Sequence, residues 1–147
     1  MNEKFLSRGK RKNNGEWVTG YYVPVGDKYH YICTGMLTII KNVPTFEHFY
    51  VIPETVGRCT GLTDKNGKKI FEGDVVKGVV LSSEFIGDIV WIEKIASFRI
   101  GHRSKREPTA WENSSLFKRL RLGYKDQFAA EIIGNIHDTP ELIGGTE

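Results

Sequence analysis

No run of this chain approaches 18 consecutive apolar residues, so the sequence offers no membrane-spanning helix and no membrane partner is expected. Cysteine is scarce. Cys33 and Cys59 stand alone, too few for a disulfide framework and without C-x-x-C spacing. His30, His48, His102 and His137 lie far apart, and no H-x-x-x-H or Cys/His spacing points to a metal. The glycines at 57, 61, 67 and 73 fall between strand-like runs with no helix following, so none belongs to a phosphate-cradling loop. No G-x-x-x-x-G-K-[ST], G-x-S-x-G, H-E-x-x-H or EF-hand pattern occurs. No catalytic residue, metal or cofactor is therefore expected, and the chain does not read as an enzyme. The opening Met1-Asn2-Glu3-Lys4-Phe5 puts no apolar stretch behind a basic head, so no export signal is expected and both thiols should be reduced.

What is present is a globular composition: 147 residues, 39% hydrophobic and 27% charged. A chain of this length buries roughly 68–70% of its unfolded surface and can hold its own core. The net charge of +3 is small, but its distribution is uneven. Lys4, Arg8, Lys10, Arg11 and Lys12 face only Glu3 in the first twelve residues. Arg103, Lys105, Arg106, Lys118, Arg119 and Arg121 dominate a second basic segment, and the last 22 residues carry five acids and no base. Read as a site, Arg8, Lys10, Arg11, Lys12 and the second segment would contact phosphates of a nucleic acid. Read as surface, they need no partner, because the acidic tail neutralises them.

Turn chemistry organises the rest. Sixteen glycines punctuate short runs rich in Val, Ile, Tyr and Phe. Asn14-Gly15 separates Phe5-Leu6-Ser7 from the run 17–23, a first hairpin with a basic loop. Tyr29-His30-Tyr31-Ile32-Cys33, Met36-Leu37-Thr38-Ile39-Ile40 and Phe49-Tyr50-Val51-Ile52 are further strands, limited by Pro44 and Pro53. Asn66-Gly67 is the strongest hairpin signal, expected as a type I′ turn. Runs 75–81, 88–92, 96–100 and 130–136 complete the strands, with 82–87 as a loop. Glu72-Gly73-Asp74 resembles a carboxylate pair but reads more simply as a turn with a side-chain acceptor. Helix is confined to a short serine-capped segment at 114–120 and a single turn at Thr139-Pro140-Glu141-Leu142.

The aromatics carry two readings. Trp17, Tyr21, Tyr22, Tyr29 and Tyr31 lie near the basic loop and would stack single-stranded bases if exposed. Packed across a hairpin they are cross-strand pairs, the preferred reading. Trp91 and Phe98 are expected in the core. Trp111, in a polar stretch, is the aromatic expected to be exposed, as an anchor for a partner or second subunit.

The expected fold is mainly β: a small, partly open antiparallel barrel, SH3-like or sandwich-like, over about 53–147, beside an N-terminal hairpin region over about 1–52. Edge strands of such a fold favour self-association. The leading functional reading is a non-enzymatic binding or assembly protein forming homo-oligomers. A nucleic-acid module is the alternative, and a small hydrolase with a site assembled in space is a remote third.

The central block Ile52-Pro53-Glu54-Thr55-Val56-Gly57-Arg58-Cys59-Thr60-Gly61-Leu62-Thr63-Asp64-Lys65-Asn66-Gly67-Lys68-Lys69-Ile70-Phe71-Glu72-Gly73-Asp74-Val75-Val76 resembles the signature of the YopX proteins of bacteriophages and prophages. Trp17-Val18-Thr19-Gly20-Tyr21-Tyr22, Val90-Trp91 with Ala96-Ser97-Phe98, and Glu131-Ile132-Ile133-Gly134-Asn135-Ile136 with Pro140-Glu141-Leu142 resemble its other elements in the same order. Lys4-Phe5-Leu6-Ser7-Arg8-Gly9 departs from it, standing where a tryptophan-containing strand is expected. The resemblance implies a mainly β fold, a phage or prophage origin and a cytoplasmic setting in the bacterial host; a host or phage protein is a further partner considered beside self-association. It brings no activity and no catalytic residues.

Overall fold

The computed structural model describes residues 5–80, 83–101 and 130–144. The described chain is antiparallel β throughout, with three one-turn 3-10 helices at Pro53–Thr55, Glu93–Ile95 and Pro140–Ile143. None of its helices is long and apolar enough to cross a membrane. Two compact units divide it, Met1–Cys59 and Thr60–Glu147.

The first unit is a sheet of β1 (Ser7–Lys10), β2 (Trp17–Val25), β3 (Tyr29–Ile40), β4 (Val43–Tyr50) and the start of β5 (Gly57–Thr63), in the order β4-β3-β2-β1-β5. The first hairpin forms as the Asn14-Gly15 signal implies, but its strand is shifted. Ser7 to Lys10, rather than residues 5–7, pair with Gly20 to Trp17. Arg8 and Lys10 therefore lie in a strand and not in a loop. The inner face encloses Leu6, Ile32 and Val51. Gly20 is needed there because a Cβ would collide with the Cys33 carbonyl oxygen of the neighbouring strand. At one end the sheet curls toward itself. An isolated bridge joins Arg11 to Val51, Lys12 N–H donates to the Tyr50 carbonyl (2.8 Å) and Ile52 N–H to that of Lys10 (2.9 Å).

The second unit contains the hairpin of β5 with β6 (Lys69–Phe71). It also holds a sheet of β7 (Asp74–Val80), β8 (Ser83–Ile92), β9 (Ser97–Gly101) and β10 (Glu131–Asn135), in the order β10-β7-β8-β9. Ile70, Val76, Ile89 and Ala130 form its core, with Leu62, Phe98, Ile100 and Ile132 packed against them. Val75 and Val76 point to opposite faces of β7 and are both fully buried, so the strand is covered on both sides at this point.

The all-β expectation holds, with corrections. Among the described residues no barrel closes: β9 pairs with β8 and β10 with β7, and the two outer strands of that sheet are not paired. Residues 83–87 are strand, because the β7–β8 ladder continues to Val80 opposite Ser83. Residues 29–40 form one strand, and Pro44 sits inside β4. Asn66-Gly67 does not form a type I′ turn, since only Gly67 has positive φ, +80°. The Asp64 carboxylate instead accepts the N–H groups of Asn66 and Lys68, both at 2.9 Å, which holds the loop in the form that needs one left-handed residue. The two consecutive positive-φ residues of a type I′ turn are Lys41 (50°) and Asn42 (63°), between β3 and β4. Glu72-Gly73-Asp74 is a turn: Gly73 has φ +90° and the Asp74 carboxylate accepts Phe71 N–H at 2.8 Å. Thr139 precedes the last 3-10 turn without capping it; its hydroxyl is engaged with the backbone of Asn135. Trp91 is half-buried, edge-on to Phe98 at 4.9 Å, at the margin of the core rather than in it. Neither cysteine forms a disulfide; Cys59 is buried and Cys33 half-buried. The segment 114–120 lies outside the described residues.

Candidate functional site

Strand alternation sorts the first unit's side chains onto two faces. The inner face takes Ile32 and Phe49, opposite one another in the β3–β4 ladder. The outer face takes the residues between them. Tyr21 lies opposite Cys33, Val23 opposite Tyr31 and Val25 opposite Tyr29. Continuing across β4, Tyr31 faces Tyr50, Cys33 faces His48, Leu37 faces Phe46 and Ile39 faces Pro44. Exposure in β4 follows the same period, with Phe46, His48 and Tyr50 exposed and Thr45, Glu47 and Phe49 half-buried.

On this outer face Val23, Val25, Tyr29, Leu37, Ile39, Phe46 and Tyr50 are each between 40 and 73% exposed. None of its residues from Tyr21 across to Phe46 carries a formal charge. Beyond Cys33 the ladder shifts register, and among the described residues the outer part of β3 pairs with β4 alone. This ribbon is apolar on its second face too, where Ile40 and Val43 are also more than half exposed. A two-stranded ribbon is marginal by itself in water, so apolar residues on both its faces call for a covering surface.

The centre of the face is aromatic and ordered by polar contacts. Tyr31 donates its hydroxyl proton to Tyr50 at 2.8 Å, with ring centroids 4.5 Å apart. That hydrogen bond holds the Tyr31 phenol protonated and pushes its pKa up to about 12. His48 stands edge-on to Tyr31 at 5.4 Å and donates from Nδ1 to the Phe46 carbonyl at 2.9 Å. On the opposite face Tyr22 stacks on His30, with its hydroxyl 2.6 Å from Nδ1. Cross-strand pairing of the aromatics is thus what forms, and the Tyr29, Tyr31 and Tyr50 group does so on the solvent side.

The sequence-identified basic residues divide. Arg8 and Lys10 share the outer face with Trp17, their charged groups 4.7 and 5.5 Å from its ring centroid. Arg11 points the other way, 4.2 Å from the Phe49 ring centroid and 3.6 Å from Glu16. Lys12 is exposed in the turn. Arg103, Lys105, Arg106, Lys118, Arg119, Arg121 and Trp111 lie outside the described residues. Among the described residues no three His, Cys, Asp or Glu side chains are grouped to hold a metal ion. The ribbon residues Leu37, Ile39, Phe46 and Tyr50 escaped sequence reading. The signal was present: two apolar alternating runs meet at Lys41-Asn42, with no third run to cover their outer half.

The family model described as YopX protein matches residues 6–144, nearly the whole chain. The chain belongs to the YopX family. A solved structure, protein EF1440 from Enterococcus faecalis, resembles it with a TM-score of 0.53 at 22% identity, over 93% of this chain and 96% of that one. That likeness shows a shared fold. No curated protein matches the chain. Within the family frame, the central block resembling the YopX signature forms the β5–β6 hairpin and the start of β7. It therefore builds scaffold, and the exposed face lies outside it.

Proposed function

We propose that this YopX-family chain is a non-enzymatic binding or assembly protein of a phage or prophage, acting in the cytoplasm of the bacterial host and associating with itself. The observation that carries this reading is the uncharged apolar outer face of β2–β4, with its ribbon apolar on both sides. Such a surface is costly in water and gains by being covered. Its titratable groups Tyr31, Tyr50 and His48 are engaged with one another in cross-strand contacts that order the face. A host or phage protein is the other covering surface of the same chemistry. Sedimentation velocity at micromolar concentration is the test. A mass that is a multiple of 16.7 kDa supports self-association, and a monomer across that range overturns it.

A nucleic-acid reading has one observation in its favour: Arg8 and Lys10 lie on the same face as Trp17 and Tyr21. Both cations already sit against the indole, and the face carries no formal charge from Tyr21 across to Phe46. Titration of labelled single- and double-stranded DNA and RNA at low salt checks it. Binding that weakens steeply with salt would favour that reading.

A further inference from the structure

We infer that two copies of this chain pack face to face through the outer surface of β2–β4, the ribbon of each lying over the other's tyrosine group. This deepens the self-association reading and rests on it.

Size favours a protein surface as the occupant. Seven large side chains at 40–73% exposure leave roughly 700–800 Å² uncovered, above the ~300–600 Å² of the largest patch on a typical monomer and close to the ~800 Å² that one partner gives a stable interface.

Charge selects a second copy. In a two-fold interface the same patch meets itself, so any net charge on it would be opposed by its own image. This face has none between Tyr21 and Phe46. An uncharged face pairs with itself at no electrostatic cost. A polyanion would find cations only at its margins, Lys28 beside Tyr29 and Arg8 and Lys10 beside Trp17, and a charged peptide no counter-charge within it.

Backbone geometry selects face packing over edge pairing. β4 is the outer strand of the sheet, but its end is occupied, because residues 50–52 exchange hydrogen bonds with residues 10–12. The pair closing the two-residue turn, Ile40 with Val43, points its backbone groups inward. Pro44 is then the first outward position, and it has no N–H to offer. What remains is too short for a strand from a neighbour. Two such faces stack at the ~10 Å spacing of a β-sandwich instead.

The experiment uses the full chain and two single variants, Ile39→Glu and Phe46→Glu, with the exposed Lys94→Glu of the second unit as a control. Both sites are more than half exposed, so the fold should survive, as checked by circular dichroism. Each variant is expected to weaken dimerisation on the order of 100-fold, while Lys94→Glu leaves it unchanged. A second readout is the thiol: Cys33 lies on the face and Cys59 is buried. Alkylation of Cys33 in the wild-type chain should slow as protein concentration rises. A wild-type dimer that both variants leave intact, with Cys33 labelling independent of concentration, overturns this interface and leaves self-association standing. A monomeric wild type overturns both.

Discussion

Replacing Asp64 by alanine probes the scaffold at the point where most of its order converges. The carboxylate is 1% exposed and accepts three backbone N–H groups. Oδ1 takes those of Asn66 and Lys68 at 2.9 Å each, and Oδ2 takes that of Ile132 at 3.1 Å. It therefore fixes the β5–β6 turn and latches it to β10, a connection reinforced by Lys65 N–H donating to the Ala130 carbonyl at 3.0 Å. Hydrogen bonds to a charged group contribute about 1.5–3 kcal/mol each. The Asn66 and Lys68 donors lie in an exposed turn, where water replaces the lost acceptor, so their share is discounted. The Ile132 donor is less accessible and counts more fully. Asp64→Ala is then expected to cost about 3–5 kcal/mol, and Asp64→Asn, which keeps one acceptor oxygen, about half that. Urea unfolding followed by circular dichroism measures both, the midpoint falling while the slope stays constant. A loss below about 1 kcal/mol for the alanine variant would refute the latch, since it would mean that these N–H groups find equal partners without the carboxylate.

Three further outcomes are expected. Gly20→Ala should destabilise the first unit by about 2–4 kcal/mol, because the new Cβ meets the Cys33 carbonyl, backbone that cannot yield cheaply; thermal unfolding by circular dichroism reads it. Lys41→Asn with Asn42→Gly should raise stability by about 0.5–1 kcal/mol, since both positions hold positive φ and that pair fits a type I′ turn; an unchanged or lower urea midpoint would count against the assigned turn. Tyr31 should ionise near pH 12 rather than 10, and Tyr50→Phe should return it toward 10, as ultraviolet difference absorbance reports. The sign follows from linkage: the folded state holds this proton more tightly, so the contribution is full below pH 10 and is lost as pH rises from 10 to 12.

The strands were legible because each is bounded by its own punctuation. Gly15, Gly26, Gly67 and Gly73 all take positive φ, and the runs between them alternate. The carboxylate at 74 was readable as a turn acceptor from its neighbours alone. Turn type was not legible. Asn66-Gly67 is the usual type I′ pair, yet the buried Asp64 two residues earlier competes for its N–H groups and wins. Lys41-Asn42 lacks glycine and still adopts the left-handed pair, because the ladder from Ile40 and Val43 outward leaves room for only two residues. The exposed face was legible only by halves. Composition marks Tyr29 and Tyr31 as candidates, but whether an alternating strand turns its apolar side to core or solvent depends on which other strands exist to cover it. Here β2 pairs with β3 only as far as Tyr21 opposite Cys33, while β3 and β4 run on together to Ile40 and Val43, and that difference leaves Leu37, Ile39 and Phe46 uncovered.

Sedimentation velocity of the wild-type chain beside Phe46→Glu, across micromolar concentrations, tests the central claim most directly. The account predicts a wild type heavier than 16.7 kDa and a folded variant that sediments as a monomer. Equal mass for the two chains, whether both single or both associated, would contradict it.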